Sequence, residues 1–348
     1  MLVRADIFDD GHLPQHLLHR ESATGQLIGA LDPQGTRQNV LLSGASGVGK
    51  TTLAKVCLRD LAAERELWTA HVQSLGAAAG TVLRSVIEQL PAGPHAVPSN
   101  QPVGEVCLQL REALQEPTAV VLDEADDIAL EAVDTLLGTQ HVTVVVICHD
   151  PVRWRSRAAQ RAGLGDRFGS EIRLDRFGVD ELADILQRRA EAGLQNGVGP
   201  GGDVRRDLLK RIADDVAGVA RAGIQTLRAA AELAEEREHR CIREPDIDDA
   251  HARARRTIRE TNLESLPFSH QFLYALVQRH GEISSEALWE RYDEVASDAW
   301  NGRLDTPPTR RARRNHLQKL REYDLVATAD NRTHSPVDSD LAAGIDTF

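Results

Sequence analysis

Eight residues carry the clearest chemistry: Gly44-Ala45-Ser46-Gly47-Val48-Gly49-Lys50-Thr51. They fit G-x-x-x-x-G-K-[ST] at every fixed position, after an apolar run and before a helical one. Glycines so placed let consecutive backbone N–H groups curl around phosphates. A lysine there reaches the β- and γ-phosphates, and a threonine hydroxyl ligates Mg²⁺. The stretch, extended by Thr52, is therefore expected to hold ATP or ADP, with Thr51 on the metal.

A second group supports the first. "VVLDEAD" ends an apolar run in Asp123 and Glu124. Asp123 is placed to hold Mg²⁺, directly or through water. Glu124 is placed to accept a proton from an attacking water or to polarise it. Asp126 and Asp127 read as the acidic start of a helix. A third apolar run, "HVTVVVICHD", closes in His149 and Asp150. A polar side chain there either touches the γ-phosphate or its water, or is simply solvated. Arg221, opening a helix in "AGVARAGIQTLRAA", either folds over the phosphates or is an exposed helix arginine.

One further cluster is basic: Arg310, Arg311, Arg313, Arg314, Lys319 and Arg321. On a helix, positions 310, 313, 314, 317 and 321 share a face. Such residues contact DNA phosphates, and an arginine reaching a guanine edge adds specificity; the alternative is a solvated helix face. Arg253, Arg255 and Arg256 form another basic run, read as solvated.

These groups need elements to position them. Strand-like runs at 39–44, 118–126 and 141–150 alternate with helical patterns from Thr52 to Ala63, Ala79 to Leu90 and Gly104 to Leu114. That alternation predicts a parallel, doubly wound α/β sheet with its site at the carboxyl ends of the strands. All three polar strand ends fall there. Beyond Arg173 the periods are helical throughout. After a break at 263–271, three helical patterns and a possible hairpin, "LVATADNRTHSPV", match a winged-helix module. The expected organisation is thus an α/β P-loop domain at 1–174, an all-α lid at 175–262 and a winged helix at 263–348.

Composition narrows the class. The 348 residues, 41% hydrophobic and 27% charged, suit a soluble protein of two or three domains. No apolar run is long enough for a membrane span, and the first residues lack a secretory h-region. Four scattered cysteines without metal-ligand spacing fit a reducing cytoplasm. The net charge of −12 does not exclude a nucleic-acid partner, because a local basic patch sets the field that DNA meets.

With these residues in view, the chain resembles the archaeal origin-recognition and cell-division-control type of replication initiators, AAA+ ATPases with a winged-helix domain. "NVLLSGASGVGKT" and "VVLDEADDI" are similar to the family's Walker A and Walker B motifs, and "LPQHLLHRESATGQLIGAL" to its N-terminal segment. "VVVICHDP" stands where its sensor-1 strand ends, "GVARAGIQTLRAAAELAE" resembles its sensor-2 helix, and "LPFSHQFLYALV" the start of its winged helix. The likeness covers nearly the whole chain. It implies Glu124 as catalytic carboxylate and Arg221 as the sensor-2 arginine, with Lys50 and His149 also at the reaction. It places Arg167, in "LGDRFGSEIRL", near an arginine that reaches a neighbouring subunit's nucleotide.

Two departures stand out. His149 occupies a position that is usually Asn in the family, which implies slow or altered hydrolysis. The helix in the region of the family's DNA-contacting insertion carries only Arg84 and Glu88 as charges. The resemblance implies an initiator that binds origin duplex DNA, turns ATP over slowly as a switch and helps to load the replicative helicase. It further implies self-association on DNA and a place in the cytoplasm on the nucleoid. The rival reading is a regulatory, mobile-element or defence AAA+ ATPase whose C-terminal helices bind protein.

Overall fold

The computed structural model describes residues 1–161, 163–303, 306–330 and 332–345. The chain forms two compact units, Met1–Ala254 and Arg255–Phe348. In the first, a 3₁₀ turn at Ala5–Phe8 precedes α1 (Glu21–Leu31), β1 (Val40–Gly44), α2 (Lys50–Glu64), β2 (Trp68–Gln73) and α3 (Ala79–Gln89). Then follow α4 (Val103–Ala113), β3 (Thr118–Asp123), α5 (Leu130–Leu137), β4 (Val142–Cys148), α6 (Pro151–Ala158) and β5 (Ser170–Leu174). Four helices succeed them: α7 (Val179–Gly193), α8 (Arg206–Asp215), α9 (Ala220–Glu236) and α10 (Glu244–Ser265), the last running across the unit boundary.

The five strands form one parallel sheet in the order β2-β3-β4-β1-β5. Both faces are covered, so the central strands are buried at nearly every position and mostly apolar, yet still sort by period two. Leu41, Val120, Leu122, Val144 and Val146 enter the core shared with α3, α4 and α5. Val40, Leu42, Val121, Val145 and Ile147 enter the opposite core, against α1 and α2. β4 lies between β1 and β3, and its carboxyl end therefore falls between the glycine loop and the carboxylates.

Two strands escape a search for apolar runs. β2 and β5 are the edges of the sheet, and each buries only alternate residues: Ala70 and Val72 in one, Ile172 and Leu174 in the other. The expected change of character after Arg173 thus falls inside β5.

The helical segment has its own core, which the N-terminus completes. Ile7 and Phe8 sit among Leu182, Leu186, Leu209 and Leu227. A fully buried phenylalanine such as Phe8 contributes about 2–3 kcal/mol. Gly193 makes this possible, since a Cβ there would stand 2.3 Å from the Phe8 ring. The sheet, expected as residues 1–174, and the helical segment up to Ala254, of the expected 175–262, therefore share one unit.

The second unit holds α11 (Phe268–His280), β6 (Ile283–Ser284), α12 (Ser285–Ala299), α13 (Arg310–Glu322), β7 (Val326–Ala329) and β8 (Thr333–Pro336). The strands pair antiparallel in the order β6-β8-β7, an arrangement consistent with the expected winged helix. Its core stacks Phe272, Tyr292 and Trp300 edge to face at 4.9 Å. Asn331, inside the expected hairpin, lies outside the described residues.

Candidate nucleotide site and nucleic-acid face

β1 delivers the glycine loop and α2 receives it. Gly44 cannot carry a side chain, because its φ is +149° and a Cβ would stand 2.3 Å from the Leu174 carbonyl oxygen. Gly49 caps α2 at φ +94°, in the left-handed region that favours glycine. Ala45 and Ser46 are exposed at the crown of the loop, whereas Val48 is wholly buried and anchors it to the core. Lys50 Nζ donates to the carbonyls of Gly44 and Ala45, both at 2.8 Å. Burial lowers its pKa, opposed by Glu124, Asp123 and Asp126 nearby.

β3 delivers the carboxylates. Thr51 Oγ1 donates to Asp123 Oδ2 at 2.8 Å, so the two residues chosen as metal ligands meet across 72 positions of sequence. Thr52 follows on the first turn of α2, half-buried. His71 Nε2, from β2, also meets Asp123 Oδ2, at 3.1 Å, and the Glu124 amide donates to Oδ1 at 2.9 Å. Burial alone would raise the Asp123 pKa, but the bonds from His71 and Thr51 outweigh it and leave the group below its ordinary value. Glu124 has φ +53°, a left-handed conformation that costs a non-glycine residue about 1–2 kcal/mol. Such strain concentrates where a side chain must be aimed.

His71 was missed because its strand was missed. Asp126 stands in the first turn of a short 3₁₀ helix, Ala125–Asp127, as its reading as a helix-start acid predicts, and it also grips the end of β4, meeting His149 Nδ1 at 2.9 Å. Burial opposes its charge, yet the bonds from His149 and the strand-end amides bring its pKa down to about 2. A carboxylate oxygen of Glu124, one of Asp126 and a ring nitrogen of His149 lie within 4.8 Å of one another.

Arg221 opens α9 directly over the loop. Its amide donates to the Gly47 carbonyl at 3.2 Å. Its guanidinium grips Asp10 Oδ2 through Nε at 2.8 Å and Nη2 at 2.6 Å. Arg20 reaches the same loop from the N-terminal segment, donating to Val48 O at 3.4 Å and stacking 3.7 Å above the Phe177 ring. Arg167 closes a 3₁₀ turn, Gly165–Arg167, ahead of β5. Its guanidinium is folded onto its own chain, on Asp134 at 3.3 Å and on the Leu137 carbonyl at the end of α5. A helix C-terminus and a carboxylate satisfy it there within the single chain.

In the second unit, α13 sorts the basic cluster. Arg310, Arg311, Arg314 and Arg321 are exposed. Arg313 and Lys319 are not, at 8% and 6% exposure, which corrects their reading as surface contacts. Arg313 lies 3.9 Å above the Tyr292 ring and pairs with Asp293, while Lys319 lies 4.3 Å above Tyr323. Their aliphatic stems and stacked cations pack as core, as long basic side chains do beside aromatics. The exposed row is therefore Arg310, Arg314, Gln318 and Arg321, one helical face, with Leu317 turned inward. Arg314, Gln318 and Arg321 line an open cleft of about 920 Å³ with Trp289, Thr328 and His334. His334 is locked between Ser285 Oγ at 2.8 Å and Thr328 Oγ1 at 2.9 Å, which ties the hairpin to α12. The helix α3 offers no comparable surface. Val82, Leu83, Val86 and Ile87 are buried, and Arg84 is turned to the Gln101 carbonyl.

Comparison with known proteins agrees with this geometry. An AAA domain matches residues 34–153, and a Cdc6 AAA+ ATPase-type lid domain matches residues 183–252. ORC1-type DNA replication protein 9 of Halobacterium salinarum is 26% identical over 97% of this chain and 95% of its own length. ORC1-type DNA replication protein 1 of the same organism is 27% identical over 90% and 100%. The solved structure of the Aeropyrum pernix ORC1 protein in complex with DNA superposes with a TM-score of 0.68 at 23% identity, covering 96% of this chain and 92% of that one. The chain is thus similar to ORC1-type replication proteins along nearly its whole length, and carries an AAA domain and a Cdc6-type lid. The AAA match spans the glycine loop, Asp123, Glu124 and His149, and the lid match spans Arg221. No helix among the described residues is long and apolar enough to cross a membrane.

Proposed function

We propose that this chain is an ATP-switched initiator that binds origin duplex DNA through α13 and is set by the nucleotide held at the glycine loop. The observation that carries the reading is the Thr51–Asp123 pair at 2.8 Å, a hydroxyl and a carboxylate joined beside the phosphate cradle. The donor set fits Mg²⁺, a hard cation that takes oxygen ligands. When bound, Mg²⁺ neutralises charge on the β- and γ-phosphate oxygens.

The chain's own residues supply the rest. The backbone amides of residues 44–52 bind the phosphates. Lys50 exchanges the carbonyls of Gly44 and Ala45 for phosphate oxygens, a stronger pairing for a buried ammonium. Glu124, aimed by its strained backbone, polarises the attacking water or takes its proton. Arg221, already on the loop through Gly47, reads the terminal phosphate and passes the state to the lid helices. The exposed row of α13 contacts DNA phosphates; that a similar solved ORC1 protein was captured in complex with DNA supports DNA as the partner. Self-association on DNA, delivery of the replicative helicase and a nucleoid location in the cytoplasm follow from the same reading.

The test is DNA affinity against salt. Wild-type protein should lose affinity steeply as salt rises, and Arg310→Ala with Arg314→Ala should flatten that slope. Unchanged affinity in the double variant would remove α13 from the interface and favour a regulatory ATPase that binds protein.

A further inference from the structure

One side chain fastens the end of β4 to the turn after β3. Asp126 Oδ1 accepts the amides of His149 at 2.9 Å and Asp150 at 3.2 Å, while Oδ2 meets His149 Nδ1 at 2.9 Å. Its main-chain oxygen takes a further bond from Arg157. The carboxylate is thus committed to three N–H groups, two of them on His149. A carboxylate only accepts, so the ring nitrogen facing it must carry the hydrogen. The hydrogen therefore sits on Nδ1. Nε2, across the ring, has no hydrogen-bond partner among the described residues, and the imidazole keeps 25% exposure towards solvent. Glu124 stands within 4.8 Å of this pair.

We propose that Asp126 is a positioning residue for ATP hydrolysis, holding His149 in its Nδ1–H form so that Nε2 accepts a hydrogen bond from the attacking water beside Glu124. The inference rests on the ATPase reading of the site. In the step, the water oxygen bonds to the terminal phosphorus as the bond to the bridging oxygen breaks. One water proton passes to Glu124, and the other stays on the product, hydrogen-bonded to Nε2. The departing ADP keeps the electron pair of the bridging oxygen. An amide at position 149 would instead donate to phosphate. A histidine clasped by a carboxylate works on the water.

Asp126→Asn is the discriminating variant. Its amide oxygen still accepts both strand-end N–H groups, so the fold is kept. Its NH₂ faces Nδ1 and drives the hydrogen to Nε2, which turns an acceptor into a donor. At pH 8, kcat should fall about 10–100-fold while KM for ATP stays within about twofold. In a His149→Ala background the same change should leave kcat within about twofold. Nitrogen-15 spectra of histidine-labelled protein, with His149 assigned from His149→Ala, should show Nδ1 protonated in wild type and Nε2 protonated in Asp126→Asn. Wild-type kcat in Asp126→Asn, an equal loss in both backgrounds, or wild-type protonation at Nε2 would overturn the proposal. A wild-type protein that hydrolyses no ATP would instead break the ATPase reading, and the spectra would still report the tautomer.

Discussion

The two charged regions of this chain are built on opposite rules. At the ends of β1, β3 and β4, charges are largely withdrawn from water and paired: Asp123 with Thr51 and His71, and Asp126 with His149. On α13 the arginines at 310, 311, 314 and 321 stay in water, and the two cations that leave it, Arg313 and Lys319, stack on tyrosines. The first arrangement fixes geometry before a ligand arrives, which suits chemistry at one phosphorus atom. The second keeps charge mobile and hydrated, which suits a polyanion whose counterions are released on contact. Within one helix, then, cations one residue apart have different work: Arg313 holds the unit together and Arg314 faces solvent.

That contrast can be broken at several points. Lys50→Ala should have the largest effect, reducing ATP binding and turnover at least about 100-fold, read by titration with a fluorescent ATP analogue. Retained binding would show that the loop is not the nucleotide's anchor. Next, Arg310→Ala, Arg314→Ala and Arg321→Ala together should weaken duplex binding roughly 10–100-fold at moderate salt. They should lower the salt slope by about one per arginine, with Tm unchanged.

Acid should act on the second unit more than on the first. His270 and His316 are buried there with rings 3.9 Å apart. Burial and then the charges beside them, His316 and Lys319 for His270 and Arg313 for His316, push their pKa values down to about 2 and about 4. Below the unfolded histidine value of about 6.5 the unfolded chain takes up protons that the folded unit refuses. Stability is therefore full above that pH and falls as pH drops towards 4. Over the first unit of acidification the loss should be about 2 kcal/mol, measured by denaturant melts of the second unit's tryptophan signal. A flat profile would mean that the pair is protonated in the fold. Smallest is Arg313→Ala, expected to cost about 1–2 kcal/mol of stability through lost stacking and its Asp293 pair. Its Tm should fall while the salt slope of DNA binding is kept. The reverse outcome would return Arg313 to the interface.

The nucleotide site was the more legible region, because backbone curvature around phosphate demands particular residues at particular intervals. Gly44, Gly49, Lys50, Thr51 and Asp123 could be named from spacing alone, and the structure gathers them. What spacing does not carry is the neighbour supplied by topology. His71 reaches Asp123 only because β2 pairs with β3 in register, and β2 is an edge strand with alternate burial rather than an apolar run. Asp126 looked like a helix-start acid, and only the placing of β4 beside β3 brings His149 to it. On α13, helical period gave a face but not its orientation. The aromatic core of Tyr292 and Tyr323 decides which cations turn inward. The partners of Arg167 within the chain, Asp134 and Leu137, lie on α5 and are likewise supplied by topology.

Footprinting the purified protein on the duplex that flanks its own gene tests the central claim most directly. The arms are ATP, ADP and Lys50→Ala with ATP. An ATP-switched initiator predicts discrete protected sites with ATP, and a pattern that changes with ADP and likewise in Lys50→Ala. No protection in any arm, or one pattern indifferent to nucleotide and to Lys50, would contradict it.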